Sequence, residues 1–204
     1  MITIVDYGMG NLGSIHNMFK KIGAETEITS DLDKISKAKK ILLPGVGAFD
    51  AAMKIIAGSE LIHVLNDKAL KEKIPVLGIC LGMQLLTNHS DEGELKGLGW
   101  IDAETLKFKP ENYTEKIRVP HMGWNLVKIE KETLLTKNFF PENRFYFVHS
   151  YYVKCKHEKN KLMTTHHGLD FDSAIINDNI FGAQFHPEKS HKFGMQLFKN
   201  FSSL

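Results

Sequence analysis

The chain has 204 residues, 43% of them hydrophobic and 25% charged, with a formal net charge of +2. A chain of this length buries about 70% of its unfolded surface and needs no disulfide or metal staple, and its near-balanced charge makes no electrostatic case for nucleic acid or an acidic membrane. No apolar run approaches the ~18 residues of a membrane span, and the two cysteines, Cys80 and Cys155, lie in unlike contexts, which favours a reducing compartment over a disulfide framework.

Residues 2–5 form a β-branched run, a good buried strand. The segment around them lacks the basic start and long apolar core of a signal peptide, so the expected location is the cytoplasm. Gly8, Gly10 and Gly13 then spell Gly-x-Gly-x-x-Gly ahead of an amphipathic helix over 14–22. A strand over 25–29 and an acid at Asp31 complete a dinucleotide-binding fingerprint in form. A nucleotide-binding module without catalysis therefore stands as the alternative of another class. A Gly-rich turn also serves wherever backbone must approach something closely.

Ile41-Leu42-Leu43 predicts a third buried strand, ending at Pro44-Gly45-Val46-Gly47. Helical patterns follow at about 50–57 and 60–71, then a strand up to Cys80 and a helix to about residue 88. Strands alternating with helices at this spacing predict a parallel sheet with helices on both faces. The second half changes character, with strands predicted over 100–108, 125–130, 144–150, 161–165, 173–177 and 181–185. A last amphipathic helix is predicted over about 189–201. No internal repeat, low-complexity tract or long linker interrupts the chain, which reads as one domain over 1–204.

Three stretches carry chemistry. Gly78-Ile79-Cys80-Leu81-Gly82 matches the Gly-x-Nuc-x-Gly elbow, a sharp strand-to-helix turn that exposes a nucleophile. A thiol nucleophile needs a base, and the base needs an orienting group. Phe185-His186-Pro187-Glu188 supplies both at the end of a strand, with His186 and Glu188 two residues apart on extended chain and thus on one side of it. Open α/β sheets place sites at the C-terminal ends of their strands, where both candidates fall. An oxyanion hole completes the requirement; backbone N–H groups of Val46 and Gly47, together with that of Leu81, are the natural donors.

Gly-Ile-Cys-Leu-Gly-Met-Gln and Phe-His-Pro-Glu-Lys-Ser resemble the signatures of the class I (triad) glutamine amidotransferases. Asp6-Tyr7-Gly8-Met9-Gly10-Asn11, Pro44-Gly45-Val46-Gly47, Pro120-His121-Met122-Gly123-Trp124-Asn125 and His149-Ser150-Tyr151 further resemble the glutaminase subunits of imidazole glycerol phosphate synthases. The likeness runs in order along nearly the whole chain. It implies a flavodoxin-like α/β fold and hydrolysis of glutamine to glutamate by Cys80 as nucleophile, His186 as base and then acid, and Glu188 as orienter. It implies that Gln84 and Glu92 hold the substrate, with main chain around Gly47 and at His149, Ser150 and Tyr151 holding the rest. Asn11, Pro120, His121, Gly123, Trp124 and Asn125 would face a (βα)₈-barrel cyclase subunit that receives the ammonia in histidine biosynthesis. The resemblance also implies activation by that partner, with the Gly45–Gly47 strand as the moving part. No cofactor and no metal are expected, and the glycine fingerprint becomes a close-packed turn beside the subunit interface. The wording Gly97-Leu98-Gly99-Trp100-Ile101-Asp102-Ala103-Glu104 keeps a second client open: similar glutaminases feed sugar amidotransferases of surface-polysaccharide pathways.

Other residues carry less. His121 is a second candidate base but lacks an adjacent acid to orient it. His166 and His167 are adjacent on a predicted strand and so point to opposite faces, a poor metal site. Cys155, among Lys154, Lys156 and His157, is expected to be an exposed strand-end thiol of no role.

Overall fold

The computed structural model describes all 204 residues. In chain order its elements are β1 (Ile2–Val5), α1 (Leu12–Lys21), β2 (Thr26–Thr29), α2 (Leu32–Ser36), β3 (Ile41–Leu43), α3 (Phe49–Ala57), α4 (Leu61–Asn66), β4 (Val76–Ile79) and α5 (Leu81–Leu85). Six strands follow, β5 (Ala103–Lys107), β6 (His121–Ile129), β7 (Asn143–His149), β8 (Tyr151–Cys155), β9 (Lys161–His166) and β10 (Asp170–Asn177), then β11 (Ile180–Ala183) and α6 (His191–Ser203).

One eleven-stranded sheet takes the order β2-β1-β3-β4-β11-β10-β9-β6-β7, with β8 bonded to β10 and β5 beside β8. The β2-β1-β3-β4-β11 half is parallel; the remainder is antiparallel. β1, β3, β4 and β11 are buried at every position, as continuous apolar strands covered on both faces must be. One face is packed by α2, α3 and α4 and the other by α1 and α6, where Phe19 stacks on Phe198 with centroids 4.2 Å apart.

The late strand β11 decides where the chemistry falls. It inserts beside β4 with Gly182 opposite Gly78 and Ala183 opposite Ile79. Two segments distant in sequence therefore end at the same level, and Cys80 follows one while Gln184 and His186 follow the other.

Several boundaries differ from the sequence-based expectation. α2 was not foreseen because five residues carry no periodic signal; Asp31 begins it, its Oδ1 accepting the N–H groups of Asp33 at 2.9 Å and Lys34 at 3.4 Å. β8 was not foreseen because only Ser150 separates it from β7. α5 stops at Leu85 rather than near residue 88. The carbonyls that would continue it are taken from elsewhere, Leu85 by the Leu98 N–H at 2.8 Å and Leu86 by the Ile101 N–H at 3.1 Å. The strand expected over 100–108 starts only at Ala103, because Trp100 turns inward and donates Nε1–H to Asn66. α6 starts at His191 because Pro187–Lys189 forms a separate 3₁₀ turn.

Candidate active site

Cys80 sits between β4 and α5 at φ 53°, ψ −110°. A non-glycine residue in that region is strained, and such strain persists only where its surroundings enforce it. The enforcement is visible at the flanking glycines. A Cβ on Gly82 would lie 2.0 Å from the Leu43 carbonyl oxygen, and one on Gly78 would lie 2.5 Å from the Gly82 carbonyl oxygen. Backbone of β3 and of the elbow itself occupies the space, so neither position admits a side chain. The Cys80 N–H donates to the Ala183 carbonyl at 2.8 Å, tying the elbow to β11. The first N–H groups of α5, beginning with Leu81, have no intrahelical acceptor.

His186 is brought to the same place and held by β7. Its N–H donates to Tyr146 O at 2.8 Å. Its carbonyl accepts from Ser190 Oγ at 2.6 Å, and that hydroxyl accepts the Tyr146 N–H at 3.0 Å. In the ring, Nδ1 bonds Glu188 Oε1 at 2.8 Å, with both side chains almost wholly buried. A carboxylate on Nδ1 leaves Nε2 for Cys80. Burial pushes the imidazole down, but hydrogen bonds to Cys80 and Glu188 and the charges of both outweigh it, raising His186 to about 10. At neutral pH it is an imidazolium, the state needed to protonate a leaving group.

Cys80 and His186 open into a cavity of about 380 Å³ that is also lined by Val46, Gly47, Leu81, Gln84, Glu92, His149, Ser150 and Tyr151. A larger groove of about 750 Å³ runs past Lys128, Glu130, Thr164 and His166, away from any nucleophile, so volume alone does not mark the site. Glu92 stands on the cavity wall with one oxygen committed: Oε2 accepts the Phe49 N–H at 3.0 Å. This caps α3, whose own N-cap, Ala48, has no side chain to offer. Asp50 secures the next residues, taking the N–H groups of Glu94 at 3.0 Å and Leu95 at 3.1 Å. Those two bonds hold its carboxyl below the usual range. Gln84 spends its NH₂ on the Gln184 Oε1 at 3.1 Å and the Tyr151 carbonyl at 3.4 Å. Towards the cavity it offers its own Oε1, an acceptor suited to an ammonium or amide donor.

Tyr7 donates its hydroxyl to the Pro44 carbonyl, and burial followed by the Cys80 charge pushes that phenol up. Gly45 packs so closely that a Cβ would lie 2.8 Å from the Gly82 nitrogen and 2.8 Å from the Leu81 Cβ. Gly47 has φ +121°, a conformation reserved for glycine.

The strand expected to face a partner divides by the period of two. Trp124 is outward and 45% exposed, and Met122 from the same motif and Leu126 just beyond it share its face at 62% and 48%. Pro120 is exposed and reaches the cavity rim, and Asn11 is exposed and caps α1 through the Ser14 N–H. Gly123 and Asn125 are half-buried. His121 is a correction: it is 5% exposed and turned inward, its Nδ1 2.9 Å from His149 Nε2. Tyr151 lines the cavity, with its carbonyl occupied by His149 Nδ1 at 2.7 Å and by Gln84 Nε2 at 3.4 Å. Three residues at the site escaped the sequence reading. Lys189 lines the cavity, Ser190 braces His186, and Gln184 lies under Cys80. Lys189 and Ser190 close the Phe-His-Pro-Glu-Lys-Ser motif and Gln184 directly precedes it, the only signal the sequence offers for them.

Two further expectations change. Cys155 is buried rather than exposed, its N–H bonded to Asp172 Oδ2 at 2.6 Å. Burial and the Asp172 carboxylate push the thiol up, well away from reactivity. The dinucleotide fingerprint loses its physical basis. Asp31 is spent as the α2 cap, Gly10 packs against Pro44, and a Cβ at Gly13 would meet nothing within 4 Å, so no close helix–strand contact demands that glycine. No group of three His, Cys, Asp or Glu side chains is placed to hold a metal ion, and no helix is long and apolar enough to cross a membrane.

The strained cysteine elbow beside a buried histidine–glutamate pair, opening on a cavity, is the arrangement of a thiol-dependent hydrolase on an α/β sheet. The sequence profile described as "Glutamine amidotransferase class-I" matches residues 3–203, and the chain belongs to that family. It is 58% identical over 201 residues to the "Imidazole glycerol phosphate synthase subunit HisH 2" of Methanococcus maripaludis, covering 98% of each chain. It is 46% identical over 204 residues to the protein of the same description from Pseudomonas aeruginosa, covering 100% of each. Among solved structures, a crystal structure of a glutamine amidotransferase superposes with a TM-score of 0.75 at 14% identity, covering 100% of both chains. PurLQS from Thermotoga maritima does so with 0.74 at 19%, covering 98% of this chain and 96% of that one. At those identities the likeness is one of fold.

Proposed function

We propose that this protein is the glutaminase subunit of an imidazole glycerol phosphate synthase, acting in the cytoplasm as one domain over 1–204. Its ammonia passes to a (βα)₈-barrel cyclase subunit with which it forms a heterodimer. The observation that carries the chemistry is the convergence of Cys80 and His186, the latter backed by Glu188, on one cavity walled by Glu92. The client follows from full-length similarity to relatives described as HisH subunits.

In this reading glutamine enters with its α-ammonium towards the free oxygen of Glu92 and the Gln84 Oε1. The Cys80 thiolate attacks the carboxamide carbon, and the oxyanion is met by the Leu81 N–H and by N–H groups of Val46 and Gly47. His186 donates its proton to the departing nitrogen, so ammonia leaves and a thioester remains. His186, now neutral, takes a proton from water, whose oxygen attacks the thioester. Collapse expels the thiolate and releases glutamate. Glu188 keeps the ring oriented through both steps. The glycine conformation at Gly47 makes that segment the adjustable part of the oxyanion site, set by the docked partner. The exposed Met122–Trp124–Leu126 face, with Pro120 and Asn11, is the docking surface.

The test mixes the protein with its cyclase subunit and measures glutamate release from glutamine. Cys80→Ala should abolish release, and a glutamine-analogue electrophile should label Cys80 and spare Cys155. Turnover surviving at the wild-type rate in Cys80→Ala ends the mechanism. Complementation of a histidine auxotroph lacking this subunit identifies the client. Failure by a well-expressed protein that still hydrolyses glutamine points to a sugar amidotransferase instead.

A further inference from the structure

Cys80 has a polar neighbour that the triad does not employ. Gln184 is fully buried and follows β11, two residues before His186. Its Nε2 lies 3.8 Å from the Cys80 Sγ, a distance suited to an N–H···S bond. Its Oε1 lies 3.1 Å from Gln84 Nε2, which in turn lies 3.4 Å from the Tyr151 carbonyl oxygen.

An amide can ordinarily be placed either way round, and only its partners decide. Here the far end of the chain of bonds decides. The Tyr151 carbonyl can only accept, so Gln84 must present its NH₂ to it. That same NH₂ meets Gln184, which must answer with its Oε1. The NH₂ of Gln184 is then the end left facing sulfur. Reversing Gln184 would set two NH₂ groups against each other and a carbonyl oxygen against a thiolate, with both amides buried. The His149 Nδ1–H, bonded to the same Tyr151 oxygen at 2.7 Å, confirms that oxygen as the acceptor anchoring the chain.

We propose that Gln184 is a hydrogen-bond donor to the reacting sulfur, stabilising Cys80 as the anion and held in that polarity by Gln84 and the Tyr151 carbonyl. This rests on the reading of Cys80 as nucleophile. A donor of this kind acts twice in the cycle. It favours the thiolate before attack, and it favours the thiolate again as the group expelled when water cleaves the thioester. Charge-assisted bonds are the stronger ones, and a buried amide with fixed orientation needs no reorganisation to make one.

The test is the pH profile of Cys80 alkylation by iodoacetamide in the full chain, followed by peptide mass spectrometry; it needs neither glutamine nor partner. In Gln184→Leu the profile should move about one unit to higher pH, with the rate on its rising limb about ten-fold lower and the high-pH plateau unchanged. Gln184→Glu, of nearly the same size but facing sulfur with an oxygen, should move it at least as far. Gln84→Met, which frees Gln184 to turn, should shift it partly in the wild-type background and add nothing to Gln184→Leu. A folded Gln184→Leu protein with the wild-type profile overturns the proposal. If that variant does not fold, an unmoved profile in Gln184→Glu or Gln84→Met does so. Failure of glutamine hydrolysis would count against the glutaminase reading while leaving the iodoacetamide profile interpretable.

Discussion

At the scale of single residues, the site depends on what is missing as much as on what is present. Cys80 holds its left-handed conformation because Gly78 and Gly82 let three backbone segments meet behind it. The Gly82 position is the more demanding, since its nearest obstacle is the Leu43 carbonyl, 2.0 Å from an ideal Cβ, and not a side chain that could swing aside. Gly82→Ala should therefore cost about 2–3 kcal/mol, the upper range for overpacking, read as a lower urea midpoint with an unchanged m-value. Gly13→Ala, where a Cβ meets nothing within 4 Å, should cost far less and serves as the control. Equal costs at the two positions would mean that the elbow relaxes around the added methyl.

At the scale of elements, β6 and β7 carry a column of imidazoles joining the exposed edge of β6 to the cavity. Asn125 Nδ2 bonds His121 Nε2 at 3.1 Å, His121 Nδ1 bonds His149 Nε2 at 2.9 Å, and His149 Nδ1 bonds the Tyr151 carbonyl. His121 also stacks on His167 with centroids 4.1 Å apart. Since Tyr151 O accepts, His149 must carry its proton on Nδ1 and His121 on its own Nδ1, so both rings are neutral with one tautomer each. Burial, then the neighbouring His167, lowers His121 to about 4. Burial lowers His149 to about 3 despite the Tyr151 bond, and His121, His167 and His186 lower it further. The unfolded chain binds these protons near pH 6.5 and the folded one does not, so stability falls as pH drops from about 6.5 towards 4. In that window each such histidine contributes about 1.4 kcal/mol per pH unit. His149→Gln should flatten the dependence by about one proton in urea unfolding at pH 7, 6 and 5. An unaltered slope would place the acid sensitivity in other groups.

At the scale of the whole molecule, one end of the sheet carries both the cavity and an apolar face that a free-standing protein has little reason to keep. Met122, Trp124 and Leu126 project together from β6, and Trp124 lies parallel to His191 at 5.5 Å, at the start of α6 just beyond the catalytic turn. Centrally placed tryptophans dominate binding energy in most interfaces. Trp124→Ala should weaken association with the cyclase subunit by about 2 kcal/mol, roughly thirty-fold in Kd, by calorimetric titration. Iodoacetamide labelling of Cys80 in the free chain should stay unchanged. Undiminished affinity would move the interface elsewhere.

Much of this was legible in the sequence because the chemistry rests on local constraints. A strand that ends in Gly-x-Cys-x-Gly can do little but turn sharply, and His-Pro-Glu on extended chain pairs its own imidazole and carboxylate. Those local rules, with the family resemblance, were enough for the α/β class and for the meeting of Cys80, His186 and Glu188. Other features arise only when distant segments meet. β11 lies beside β4 through parallel pairing across a hundred residues, which no local pattern encodes, and that register sets Gln184 under the sulfur. The inward turn of His121, the burial of Cys155 against Asp172 and the commitment of Asp31 to a helix cap likewise depend on neighbours supplied by other elements. The sequence determined which groups can react; the tertiary structure decided which way each one points, because orientation in a packed interior is set by partners far away along the chain.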